Sequence, residues 1–136
     1  MDELLFTRRA YDAVVDHARA RAPAEVCGVL AGERDAGRVT GVHRTANAAA
    51  TPETRYRIDP REQLAVMEAV ADVGDDVVGF YHSHPAGPPA PSETDAAQAT
   101  WKGYPYVVVA LDGEHPFVGA WEWTGRAFDR LAVGLA

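Results

Sequence analysis

Apolar and polar positions recur along the chain with two different periods, and the changes of period mark the elements. From Thr7 to Ala22, Ala10, Tyr11, Val14, Val15 and Ala18 fall on one side at helical spacing. Arg8, Asp12, Asp16 and Arg19 fall on the other, which predicts an amphipathic helix. Thr7 is its N-cap and Pro23 closes it. Val26 to Ala31 is an apolar run of strand length, Gly32 to Gly37 is a polar turn, and Arg38 to Ala46 reads as the returning strand of a hairpin. Ala48 to Thr54 reads as a loop and Arg55 to Ile58 as a short extended piece. Asp59, Pro60 and Glu62 stand as N-cap, first and third helical residues of a second helix that reaches Val73. Leu64, Met67, Val70 and Ala71 form its expected buried face. Tyr106 to Leu111 is a β-branched strand consistent with burial on both faces. Pro116 to Thr124 alternates as an antiparallel strand, and a last strand or short helix follows Gly125.

The stretch with the most chemistry lies between these elements. Val77-Val78-Gly79-Phe80-Tyr81 reads as a buried strand, so His82 and His84, two residues apart, point to the same face. Pro85 stops the strand. A proline- and glycine-rich loop follows, and Ser92-Glu93-Thr94-Asp95 opens a third helix expected to reach Trp101. Asp95 lies in its first turn, where its carboxylate can swing back towards the imidazoles. Two histidines and one carboxylate suit zinc, with a fourth position left for water. A closed structural zinc site would call on cysteines, and the chain has only Cys27. Ser83, between the histidines, points to the opposite face and is not counted as catalytic. His17 is expected to be partly exposed, His43 and His115 to lie on the surface, and Trp101, Trp121 and Trp123 to occupy core or half-buried positions rather than a substrate groove.

His82-Ser83-His84-Pro85, then Ser92 and Asp95, resembles the signature of the JAMM (MPN+) zinc metalloproteases. Glu25-Val26-Cys27-Gly28 is similar to that family's upstream glutamate segment, and the resemblance spans roughly residues 5 to 125. It implies an α/β (α+β) fold, a mixed and largely antiparallel sheet flanked by helices in a cytidine deaminase-like architecture. It implies one zinc held by His82, His84 and Asp95, with Glu25 as catalytic base and Ser92 as oxyanion donor. The implied reaction is hydrolysis of the bond after the C-terminal diglycine of a ubiquitin-like modifier. The compact chain is similar to the minimal archaeal, desampylase-like form. A sulfur-carrier-trimming hydrolase shares the same metal site and is the alternative within the family. A non-catalytic MPN interaction scaffold is the alternative outside enzymes, although such modules typically lack part of the ligand set.

Composition narrows the setting. A chain of 136 residues, 47% hydrophobic, fits one domain, residues 1 to 136, with an adequate core. The net charge of -7 argues against a nucleic-acid partner. No apolar run is long enough to span a bilayer, the acidic start Met1-Asp2-Glu3 is unlike a signal peptide, and the lone cysteine agrees with a reducing compartment. The expectation is a cytoplasmic protein without a membrane partner. Twelve arginines against one lysine are compatible with a halophilic or high-GC source.

Overall fold

A computed structural model describes residues 1–136. The hairpin expected from the sequence is β2 (Cys27–Glu33) and β3 (Arg38–Thr45). Around it lie β4 (Asp76–His84), β5 (Pro105–Ala110), β6 (Phe117–Trp123) and β7 (Phe128–Leu135). The segment after Gly125 is therefore a strand. One further strand, β1 (Glu3–Phe6), has no counterpart in the sequence expectations. It runs parallel to both β3 and β7 and closes the sheet into a barrel of order β1-β3-β2-β4-β5-β6-β7. The sheet is mixed and mainly antiparallel as expected: four pairs are antiparallel, and the other parallel pair is β4 with β5.

Helix α1 (Arg8–Arg21) begins as predicted, with the Thr7 hydroxyl accepting from the Ala10 amide at 3.2 Å. Its buried residues Ala10, Val14, Val15 and Ala18 join Leu4, Phe6, Leu30, Val39, Tyr81 and Val107 in the main core. His17 belongs to this buried face too, 5% exposed, which corrects the surface expectation. It lies at the edge of the apolar stripe, and Tyr81 of β4 supplies a polar partner inside. The Tyr81 hydroxyl and His17 Nδ1 are hydrogen-bonded at 2.7 Å.

Helix α2 (Pro60–Asp72) is capped by Asp59, whose carboxylate accepts from the Arg61 amide at 2.8 Å. Its packing face is turned relative to expectation. Only Val70 is buried, Val66 packs on the second cluster, and Leu64 is 57% exposed. Ala71 is exposed as well. Helix α3 (Glu93–Gln98) ends before Trp101, because the Thr100 and Trp101 amides donate to the Tyr106 hydroxyl instead of continuing the helix. A smaller cluster of Val29, Phe80, Tyr106 and Trp123 lies on the face covered by α2 and α3.

A β-bulge decides which face carries the histidines. Leu30 pairs with Gly79 but Ala31 pairs with Val77, so Val78 has no partner on β2. Val78 accordingly enters the α1 core, while Phe80, two residues on, enters the other cluster. From Phe80 onward the alternation is regular, and it carries His82 and His84 to the α2–α3 side.

Candidate metal centre

Three elements supply the site. Glu25 stands just before β2, His82 and His84 end β4, and Asp95 lies in the first turn of α3. Cys27 pairs with His82 and Gly28 with Tyr81, so β2 and β4 are locked side by side where the site forms. That closeness needs Gly28: a Cβ there would meet the Tyr81 ring and the His43 carbonyl. Ser83 points away, as expected, and its hydroxyl accepts from the Val26 amide at 2.9 Å while its own amide donates to the Val26 carbonyl. These bonds fix the residue next to Glu25.

The polar atoms converge. His82 Nε2 lies 3.2 Å from His84 Nε2, and Asp95 Oδ2 is 3.0 Å and 3.1 Å from them. Ligand atoms around a tetrahedral zinc with ~2.0 Å bonds are about 3.3 Å apart, so the triangle is close to the size that ion needs. Glu25 also offers a carboxylate oxygen within 4.8 Å of the two imidazole nitrogens. All four residues are buried. His84 Nδ1 donates to the Pro88 carbonyl at 2.9 Å, so when the ring is neutral it is Nε2, turned into the cluster, that carries the lone pair. Gly87 makes that turn possible at φ +76°, a conformation side-chain-bearing residues rarely adopt. Two imidazole nitrogens and carboxylate oxygens converging in a buried pocket are a donor set that suits a divalent cation. The chain thus carries a possible metal site.

The two carboxylates differ in their surroundings. Burial works to raise Asp95, but hydrogen bonds from His82 and His84 outweigh it and hold the group well below the usual carboxylate range. Burial pushes Glu25 up to about 7, with His84 opposing and Asp95 reinforcing the shift. Burial also pushes His82 down. In His84 it is overcome by Asp95 and the Pro88 carbonyl, so that imidazole is raised.

Ser92 joins the site through a reciprocal cap. Its hydroxyl accepts from the Asp95 amide at 3.0 Å, and Asp95 Oδ2 accepts from the Ser92 amide at 2.8 Å. The Ser-x-x-Asp spacing is therefore a helix-starting device that also aims Asp95. Cys27 lies on the site side but is no candidate nucleophile: burial pushes its thiol up to about 11, and it bonds to Thr45 and the Ala46 carbonyl.

Sequence reasoning missed two contributors. Tyr56 stacks on His82 with ring centroids 4.2 Å apart and planes 16° from parallel. Its only local signal is alternation with Arg55 and Arg57. The Pro88 carbonyl has no side-chain signature at all. Trp121 and Trp123 are buried and Trp101 is half-buried, as expected; Trp101 also lines a cavity of about 310 Å³ with Tyr56, Phe80 and Tyr106. His115 is exposed and His43 is half-buried.

Comparison with known proteins agrees with this architecture. Residues 7–124 match the family described as prokaryotic homologs of the JAB domain. The chain is 48% identical to a desampylase of Haloferax volcanii over 93% of its own length and 91% of the relative's. It is 41% identical to the CysO-cysteine peptidase of Mycobacterium tuberculosis, over 76% of this chain and 70% of that one. A solution structure of a Desulfitobacterium hafniense protein superimposes with a TM-score of 0.89 at 29% identity, covering 98% and 92% of the two chains. With the histidine pair, the aspartate and the upstream glutamate on one face of the same barrel, the chain belongs to the JAB/MPN family, among its prokaryotic members.

Proposed function

We propose that residues 1–136 act as one zinc-dependent peptidase domain that hydrolyses the bond after the C-terminal diglycine of a ubiquitin-like modifier, including isopeptide bonds to lysine. The observation that carries this reading is the 3.0–3.2 Å triangle of His82, His84 and Asp95 with the Glu25 carboxylate beside it. The names of the relatives, a desampylase and a CysO-cysteine peptidase, support the reaction class. His82, His84 and Asp95 are assigned as zinc ligands, because Asp95 stays ionised and the Pro88 carbonyl, by holding His84 at Nδ1, turns its Nε2 inward. Zinc bound there supplies Lewis acidity, lowering the pKa of a bound water from about 15.7 to ~7.

The protein's own groups do the rest. Glu25 takes the proton of the attacking water and returns it to the leaving nitrogen, which a carboxyl near neutral pKa does in both directions. The Ser92 oxygen already accepts from the Asp95 amide, so its proton is free to donate to the oxyanion of the tetrahedral intermediate, a contribution of about 3 kcal/mol in hydrolases. Tyr56 covers one face of His82 and keeps bulk water off that ligand. No helix is long and apolar enough to cross a membrane, and we assign the protein to the cytoplasm with modifier conjugates as its partners.

The test is cleavage of a ubiquitin-like protein joined through its diglycine to a lysine side chain, with and without a zinc chelator. A parallel arm uses a sulfur-carrier protein bearing one C-terminal cysteine. Chelator-sensitive product ending at the diglycine in the first arm is the expected result. Product only in the second arm assigns the carrier-trimming activity instead. Zinc-loaded protein inactive in both arms contradicts the proposal.

A further inference from the structure

Residues 48–54 connect β3 to the extended piece that carries Tyr56, and one side chain organises the connection. Asn47 Nδ2 donates to the Glu25 carbonyl at 3.0 Å and to the Arg55 carbonyl at 2.9 Å, with a longer contact of 3.4 Å to the Pro52 carbonyl. Its Oδ1 accepts from the Ala49 amide at 3.0 Å and the Arg57 amide at 3.1 Å. A primary amide has two donor hydrogens and two acceptor lone pairs, and here all four are in use. The Glu25 amide, in turn, donates to the Pro52 carbonyl at 2.7 Å. Glu25 is thus gripped by its carbonyl through Asn47 and by its amide through the loop that Asn47 holds. The same amide brackets Tyr56, the ring stacked on His82, through residues 55 and 57. Neither Asp nor Leu, both near Asn in shape, can serve all of these partners.

We infer that Asn47 is a positioning residue, which sets the Glu25 backbone and the Tyr56 segment relative to the His82–His84 pair. The inference rests on the assignment of Glu25 as the base. The Asn47 side chain touches no reacting atom; it acts through the placement of Glu25. A displacement on the order of 1 Å at such a group can cost ~10²-fold in rate, which makes the placement worth a dedicated side chain.

The variants Asn47→Ala and Asn47→Asp separate positioning from loop stability. Asp keeps the acceptor oxygen for the Ala49 and Arg57 amides but replaces the donor to Glu25 and Arg55 with a second oxygen that their carbonyls repel. In zinc-loaded protein, amide hydrogen exchange at Glu25 is expected to quicken roughly fivefold or more in both variants. Exchange at Arg57 quickens only in Asn47→Ala. With the lysine conjugate as substrate, both variants lose at least about tenfold in kcat at little-changed KM and full zinc content. Unchanged Glu25 exchange in both variants overturns the inference whatever the activity. So does an Asn47→Asp protein with wild-type kcat, since rate would then follow loop order and not the hold on Glu25. An inactive wild type overturns the proposed substrate alone, because the exchange measurement needs no substrate.

Discussion

Asp95 and Glu25 carry the same carboxyl group in different surroundings: one faces two imidazoles and a helix-start amide, while the other is buried beside them with its pKa near 7. Ser92 links structure to chemistry in the same residue, since its oxygen caps α3 while its proton stays available. Ser92→Ala should therefore lower kcat by about 10²-fold with little change in KM. It should also destabilise the protein by about 1 kcal/mol through the lost cap. Steady-state kinetics and denaturant unfolding read the two effects, and an effect on KM alone would contradict the oxyanion role. The legible residues were those whose geometry is local. His82 and His84 share a face because strand side chains alternate, and Ser92 and Asp95 meet because a capping box spans three residues. Tyr56, Asn47 and the Pro88 carbonyl act across the fold or through the main chain, where sequence spacing carries no signal.

Among the elements, α1 and β4 are joined on the face opposite the metal site by the His17–Tyr81 hydrogen bond, between residues 64 apart in sequence. Burial pushes His17 down to about 4, with Arg44 of β3 and Arg21 of α1 adding to the effect. Between pH 6.5 and 4 the unfolded chain therefore binds a proton at this position that the folded chain does not. Stability from His17 is complete above about pH 6.5 and is lost as pH falls towards 4. His17→Gln keeps a polar partner for Tyr81 without titrating. The stability of wild type minus variant should fall by roughly 1–2 kcal/mol across that window, after allowance for solvent screening. A flat difference would contradict the shift. Helical periodicity placed His17 beside the apolar stripe, but only the partner on β4 makes burial tolerable. The α2 face was misjudged for a related reason. Leu64 suits either side of that helix, and contact with the sheet through Val66 and Val70 decides between them.

The molecule as a whole is closed by its shortest strand. β1 spans four residues, too few for a periodic pattern, and it pairs with β3, beyond α1 and β2, and with β7, at the far end of the chain. Leu4 and Phe6 are fully buried against α1 and the barrel. Phe6→Ala should cost about 3–5 kcal/mol in equilibrium unfolding, and a loss below ~1 kcal/mol would show that closure matters little. The rest of the fold was legible because hairpins, caps and the β-branched strand are local, whereas barrel closure is a long-range pairing. On this frame the proposed enzyme holds its metal on three side chains and leaves Glu25 to move protons. Metal analysis of purified Glu25→Ala, alongside its activity on the lysine conjugate, tests that division most directly. One zinc per chain with cleavage abolished is the predicted result; loss of the zinc would make Glu25 a ligand, and retained cleavage would remove it as the base.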